Sequence, residues 1–384
     1  MSSAAPQTVI AQIVEAMRAL AGSHPGFRPV HAKGIVCAGS FRASPEARRM
    51  SRAPHLQGQA VPAVIRFANA SGNPDVHDGL ANPRSLSVKF QLPNGKSADI
   101  LANSVEGFPV RTPEDLLAFL RAQLPDPVTG RPAPDAVPRF LGSHPAAPAF
   151  IERLMKKPVP ASYAQASYHA EHAFLFTAAD GTSRFGRYRW APEAGEAYLS
   201  PDDAGKRSPN FLRDELAGRL RNGQAVFRLL LQLAGESDPT DDVTALWPAD
   251  RPLVELGRQE VTGISPTGTA DERRMVFDPT NLADGIALSA DPILLVRSAA
   301  YSLSYDHRSK GEWATDMREP SALRRPDLVA GVPITSVQDG IRFCQPVALS
   351  GCPEFLTAMP SEPVGLQTGA TAACGAQLAQ SVNA

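Results

Sequence analysis

The segment RPVHAKGIVCAGSFRA, residues 28–43, contains the first clear β-strand and is the point from which the fold can be worked outward. From Gly34 onward it is β-prone, and further short β-prone runs follow before residue 105, separated by Gly, Pro and Asn. This spacing predicts an antiparallel sheet or barrel. Similar runs return later in the chain, at 172–178, 184–192, 225–233 and 253–264.

Helical patterns flank these strands. Apolar residues recur at helical spacing within residues 1–23, which predicts an amphipathic opening helix. Pro113, Glu114 and Asp115 form a favourable first turn for a helical segment over 113–155. Two more helices are predicted, at 208–221 and in ILLVRSAAYSLSYDHR at 293–308. The fold class expected from these elements is α+β, an antiparallel sheet or barrel with packed helices.

Composition limits the function classes and the domain organisation. The chain has 384 residues, of which 43% are hydrophobic and 20% charged, as in globular proteins. A net charge of −1 argues against nucleic-acid binding, and no apolar run is long enough for a membrane span. We predict an N-terminal helix at 1–24, a main domain at 25–310 and a loosely packed tail at 311–384. Because the N-terminus lacks a signal-peptide pattern, a cytoplasmic location is expected.

Two short motifs contain candidate functional residues. His31 stands at the start of the first strand, where a histidine is most often an ordinary hydrogen-bonded residue. On the last predicted helix, Arg297 and Tyr301 are i, i+4 neighbours, so a guanidinium can hydrogen-bond a phenolate oxygen. Arg308 lies two turns beyond Tyr301. Taken alone, this helix is better explained by surface arginines with a half-buried tyrosine.

Taken together, the motifs resemble the catalase superfamily. VHAKG at 30–34 resembles that family's distal-histidine strand, and NPRSLSVKF at 82–90 resembles its DPRGFAVKF stretch. Three more segments are similar and occur in family order, namely IRFANASGNPDVHD at 65–78, DILAN at 99–103, and FDPTNLADGI followed by DPILLVRSAAY at 277–301. The resemblance covers roughly residues 25–310. It is nearest to the small catalase-related peroxidases, which lack the long N-terminal arm and the flavodoxin-like domain of large catalases.

The resemblance implies an antiparallel β-barrel of the catalase type with packed helices. It also implies a buried haem b whose iron is ligated by Tyr301, with Arg297 beside the ligand. On the opposite face, His31 matches the distal general acid–base and Asn103 the asparagine that orients the peroxide. The family's haem-propionate positions correspond to Arg28, Arg66 and Arg308, and its haem-lining positions to Val30, Phe67, Leu116 and Phe277.

Two departures from the family pattern carry expectations. Ala68 stands where many relatives have a serine bonded to the distal histidine, so we expect His31 to be held less firmly and dismutation to be less efficient. Leu116 stands where large catalases carry phenylalanine, which would widen the pocket. No role is assigned to Tyr305 or His307. The remaining histidines are expected to be structural or solvated, namely His24, His55, His77, His144, His169 and His172.

The function predicted from the resemblance is that of a haem peroxidase reducing hydrogen peroxide or organic hydroperoxides through a ferryl intermediate. A small organic electron donor is expected as the second substrate, since a short chain should leave the haem more open. The first alternative is dismutation of hydrogen peroxide by a true catalase. The second alternative, which Ala68 motivates, is a haem-binding or sensing protein with little turnover. A catalase-like allene oxide synthase is less favoured, because those enzymes prefer threonine where Val30 stands. A monomer or homodimer is expected.

Overall fold

The computed structural model describes residues 8–22, 24–80, 83–126, 128–266 and 272–316. The helices are α1 (Val9–Ala21), α2 (Ala47–Met50), α3 (Pro113–Ala122), α4 (Ala136–Ser143), α5 (Ala146–Lys156), α6 (Pro201–Lys206), α7 (Phe211–Arg221) and α8 (Pro292–Asp316). The strands are β1 (Gly34–Ala43), β2 (Ala60–Asn69), β3 (Arg84–Gln91), β4 (Ser97–Asn103), β5 (Val159–Pro160), β6 (Tyr168–His169), β7 (Phe174–Thr177), β8 (Ser183–Pro192), β9 (Tyr198–Leu199), β10 (Ala225–Leu233), β11 (Leu253–Ile264) and β12 (Ile286–Leu288).

Eight strands close into an antiparallel barrel, which confirms the predicted α+β fold. They follow the order β10, β11, β1, β2, β3, β4, β6 and β8, and β8 pairs back with β10 to complete the circle. Alternate residues of each strand point inward. The barrel interior is filled by large apolar and aromatic side chains, among them Phe41, Ile65, Phe67, Phe90, Trp190 and Phe227.

The register of β1 to β4 determines which side chains share the outer face of the barrel. Gly34 lies directly opposite Ala68 on β2. Ala68 in turn lies opposite Ser85 on β3, and Ser85 lies opposite Asn103 on β4. Directly paired residues point to the same face of a sheet, so these four positions form one row across four strands.

The helices α1, α3, α4 and α8 contribute to a second apolar cluster outside the barrel. Thr8 caps α1 by accepting from the amide of Ala11, and Thr112 caps α3 by accepting from the amide of Asp115. The helical region predicted at 113–155 is divided into α3, α4 and α5. Among the described helices, none is long and apolar enough to cross a membrane.

Helix α8 is longer than the sequence pattern indicated. It continues to Asp316, so the first residues of the segment predicted as a tail, 311–316, are helical. The rest of the predicted tail, from residue 317 onward, lies outside the described residues. Helix α1 packs on α3 through Ile13 and Ala16, which join the same apolar cluster as Leu116.

Candidate active site

A cavity of about 280 Å³ lies between the outer face of the barrel and the helices α1, α3 and α8. His31 and Asn103 line it from the barrel side, whereas Arg297 and Tyr301 line it from α8. Most of the remaining lining is apolar and includes Val30, Leu101, Val105, Phe108, Leu116, Leu120, Phe277 and Val296. The structure thus brings together ten of the eleven residues proposed from the sequence, the exception being Phe67.

Phe67 faces the opposite side of β2 and does not line the cavity. Its ring packs inside the barrel against Tyr163, Tyr168 and Phe227, at centroid distances of 5.5, 6.1 and 5.9 Å. The reason is strand alternation: because Arg66 faces the cavity, the next residue must point inward. The prediction that Phe67 lines the haem is therefore wrong.

The backbone at His31 is strained and is held by polar contacts. His31 has a φ of +59°, which makes it the one non-glycine residue with positive φ in the described part of the chain. Its carbonyl accepts a hydrogen bond from the Arg66 guanidinium at 2.6 Å. Two residues on, the Lys33 ammonium lies 2.8 Å from the buried Asp78 carboxylate. A Cβ at Gly34 would lie 2.5 Å from Arg66 Nη2, so glycine is needed at this position.

The imidazole of His31 is neutral and is anchored by a serine. Burial, reinforced by the positive charges of Arg66 and Arg297, lowers the pKa of His31 to about 3. Ser85 Oγ lies 3.1 Å from His31 Nδ1, which leaves Nε2 for the cavity. The expectation that Ala68 deprives His31 of a hydroxyl partner is therefore wrong. The hydroxyl is supplied by Ser85, the residue directly opposite Ala68 in the sheet.

Tyr301 receives two hydrogen bonds from Arg297, as the i, i+4 spacing predicted. Arg297 Nε lies 3.1 Å and Nη2 lies 2.6 Å from the phenolic oxygen. Burial nevertheless raises the pKa of Tyr301 above its ordinary value of 10, and Arg297 only partly offsets the rise. A phenolate at this position therefore needs a further cation at the oxygen, which a bound metal ion would provide.

A polar network behind Tyr301 was missed by sequence reasoning. Arg297 Nη1 lies 2.8 Å from His172 Nε2, and His172 Nδ1 lies 2.7 Å from Asp291 Oδ2. Asp291 also accepts from the amide of Ile293 at 2.9 Å and so caps α8. His172 is 3% exposed, and burial lowers its pKa despite the hydrogen bond to Asp291. His172 thus positions Arg297, whereas the sequence had left it without a specific role.

Glu171 is a second residue that sequence reasoning missed. One of its carboxylate oxygens lies 3.0 Å from Arg297 Nη1, and the other lies 2.5 Å from Asn103 Nδ2. Burial opposes the charge of Arg297, but Tyr301 and Glu171 raise the pKa of Arg297 above the ordinary value. Glu171 therefore connects the asparagine on the barrel to the arginine that contacts Tyr301.

Three arginines, of which two are buried and Arg28 is half-buried, converge elsewhere on the cavity wall. Arg28, Arg66 and Arg308 all line it, and Arg66 pairs with Glu272 at 2.6 Å. Burial, together with the positive charges of Arg66 and Arg308, lowers the pKa of Arg28 well below its ordinary value. An anion bound between these guanidinium groups would relieve that repulsion, and planar guanidinium groups suit carboxylates.

These features fit a haem. The cavity offers an apolar lining, a phenol oxygen on one element and an imidazole on another, with a cluster of guanidinium groups. A haem is apolar over most of its surface, carries an iron that tyrosine can ligate, and ends in two propionate carboxylates. The donor set therefore matches each part of the cofactor with a residue type suited to it.

The model of the catalase family matches residues 11–317 of this chain. The chain belongs to the catalase family. It is therefore an oxidoreductase that acts on peroxide, and the family implies a haem cofactor. A catalase-related peroxidase of Mycolicibacterium paratuberculosis is 40% identical over 299 residues, which cover 78% of this chain and 94% of that protein. One of Synechococcus elongatus is 35% identical, covering 78% and 88% of the two chains.

Solved structures agree with the assigned fold. Catalase A of Saccharomyces cerevisiae superposes with a TM-score of 0.68 over 74% of this chain and 62% of that one, at 20% identity. A bacterial catalase gives the same TM-score over 81% of this chain and 64% of its own. At this identity the likeness supports the catalase fold, the barrel with its packed helices, and not a particular reaction.

Proposed function

We propose that this protein is a haem b peroxidase that reduces hydrogen peroxide or organic hydroperoxides with electrons from a small organic donor. The observation that carries the proposal is the convergence of His31 and Asn103 from the barrel and Tyr301 and Arg297 from α8 on one cavity. The two relatives named catalase-related peroxidase, of similar length to the matched region, support peroxidase rather than dismutase activity.

The roles of the protein groups follow from their contacts. When bound, the haem supplies the redox chemistry that accompanies cleavage of the peroxide O–O bond. Tyr301 would hold the iron, and Arg297 would stabilise its phenolate through the two hydrogen bonds described above. Because the pKa of His31 is about 3, its imidazole is neutral at ordinary pH. Its Nε2 can take a proton from one peroxide oxygen and return it to the other, so that water leaves.

Dismutation of hydrogen peroxide is a second candidate, and a specific contact favours it. Dismutation uses His31 for proton transfer with each of two peroxides, so it depends on a firmly held imidazole. Ser85 Oγ at 3.1 Å from His31 Nδ1 provides such an anchor. The absence of a hydroxyl at Ala68 is therefore no argument against catalase activity in this protein.

The two activities differ in their products and are separated by one set of measurements. Purified protein is examined by absorption spectroscopy, and its haem type is identified from the spectrum of the pyridine complex. Peroxide consumption and oxygen release per haem are then measured with and without a phenolic donor. Donor-dependent consumption without oxygen supports the proposal, whereas one oxygen per two peroxides without a donor identifies a dismutase. Bound haem with neither activity would identify a haem-binding or sensing protein.

Two further expectations stay predictions. They are a cytoplasmic location and a monomeric or homodimeric state, and size-exclusion chromatography with light scattering measures the second directly.

A further inference from the structure

We infer that Ser85 is a positioning residue for His31, whose imidazole it holds with Nε2 turned to the cavity. The inference deepens the proposed function, since it concerns the group assigned to proton transfer. Ser85 is 6% exposed, lines the same cavity as His31, and places Oγ 3.1 Å from His31 Nδ1.

His31 needs such an anchor because of where it lies. It precedes β1 in a segment with a left-handed backbone, so the regular hydrogen bonding of the sheet does not orient its side chain. Arg66 holds the main chain through the carbonyl of His31 but makes no hydrogen bond to the ring among the described contacts. The ring itself is contacted by the Ser85 hydroxyl and by the backbone of Asn69, which acts to raise the pKa of His31.

A serine hydroxyl can donate or accept a hydrogen bond, and as the acceptor it keeps the proton of the ring on Nδ1. A neutral imidazole has one N–H donor and one acceptor nitrogen. When Nδ1–H donates to Ser85 Oγ, Nε2 is left as an acceptor and can take the first proton from a peroxide. Without this hydroxyl the ring can rotate, or it can carry the proton on Nε2, and in that form it cannot begin the transfer.

The sheet register provides a test that separates positioning from simple packing. Ala68 is fully buried, lies directly opposite Ser85, and shares its face of the sheet. A hydroxyl moved from position 85 to position 68 would therefore stay beside His31 on the neighbouring strand. Ser51 is also buried, and its Oγ donates to the carbonyl of Gly285 at 2.7 Å, but it does not line the cavity, so it offers a matched control.

The experiment compares Ser85→Ala, the exchange Ser85→Ala/Ala68→Ser and the control Ser51→Ala in the haem-loaded protein. Two quantities are measured: the rate of peroxide consumption per haem, and the infrared C–N stretch of the cyanide complex of the ferric haem, which reports the orientation of the distal imidazole. Ser85→Ala should slow consumption by about 10- to 100-fold and broaden or split the C–N band. The exchange should recover most of the rate and a single band, and Ser51→Ala should change neither.

An unchanged rate and an unchanged single band in Ser85→Ala would overturn the inference, since the backbone of Asn69 would then suffice. The same holds if the exchange variant behaves like Ser85→Ala alone, because the hydroxyl would not be acting through His31. The band is measured without turnover. A split band in a protein that never consumes peroxide would support the role of Ser85 while contradicting the proposed function.

Discussion

A histidine inside the barrel should make the protein sensitive to acid. His55 is 1% exposed and lies stacked on Phe90, with ring centroids 4.6 Å apart and planes inclined by 10°. Neither ring nitrogen has a hydrogen-bond partner among the described residues. Burial lowers the pKa of His55 from an ordinary 6.5 to about 4. We therefore expect His55 to be neutral in the folded protein at pH values where the unfolded chain binds a proton.

The sign and size of the effect follow from this difference. Below pH 6.5 the unfolded chain takes up the His55 proton, whereas the folded protein does so only near pH 4. Stability is therefore retained above pH 6.5 and is lost as the pH falls through this window. Each pH unit corresponds to about 1.4 kcal/mol, so protonation of His55 alone should lower the free energy of unfolding by about 2 kcal/mol between pH 6.5 and 5.

Replacing His55 by phenylalanine tests this directly. The ring is kept and the titration is removed, while overpacking by the larger side chain adds an offset that does not depend on pH. In urea unfolding from pH 7.5 to 5, the free energy of unfolding of His55→Phe should rise by about 2 kcal/mol relative to that of the unmodified protein as the pH falls. Phe176→Leu is the control, because it truncates a buried aromatic ring without removing a titratable group. A difference between His55→Phe and the unmodified protein that stays constant across this range would refute the reasoning.

Three further predictions concern the haem site. Tyr301→Phe removes the iron ligand and should strongly reduce haem retention or activity; an unchanged ferric spectrum and turnover would contradict the assignment. His31→Ala should keep the haem but slow the reaction with peroxide by about 10²- to 10⁴-fold in stopped flow, and an unaltered rate would exclude His31 as the acid–base group. Arg28→Leu should weaken haem binding by about 10- to 100-fold, measured by transfer of haem to apomyoglobin. It should also raise the urea midpoint of the haem-free chain, because one of three crowded guanidinium groups is gone. The prediction fails unless haem affinity falls and the urea midpoint rises.

The sequence was sufficient for the parts of the site that depend on local spacing or on a quoted motif. Arg297 and Tyr301 meet because residues four apart on a helix are neighbours, and the structure places their atoms within 3.1 Å. The strand at 253–264 has the bounds that its β-prone run indicated. His31 and Asn103 reach the same cavity, as the resemblance implied.

Other features depend on contacts between distant parts of the chain. His172 and Asp291 are 119 residues apart, so no local pattern indicates that they meet. The helical segment predicted at 113–155 is broken at prolines, since Pro132 and Pro134 lie between α3 and α4 and Pro145 lies between α4 and α5. The continuation of α8 to Asp316 runs past the end of the predicted pattern, and propensity is a weak guide to such boundaries.

By itself, the sequence determined the class of fold, the family resemblance and the chemical type of the groups around the haem, since these depend on residue identity and on spacing along the chain. Only the tertiary structure decided which faces those groups occupy. Strand alternation sends Phe67 into the barrel while its neighbour Arg66 faces the cavity. Cross-strand register places Ser85 opposite Ala68, so that the hydroxyl absent from one strand is supplied by the next. Register is a property of paired strands, and a residue's partner across a sheet cannot be read from its own segment.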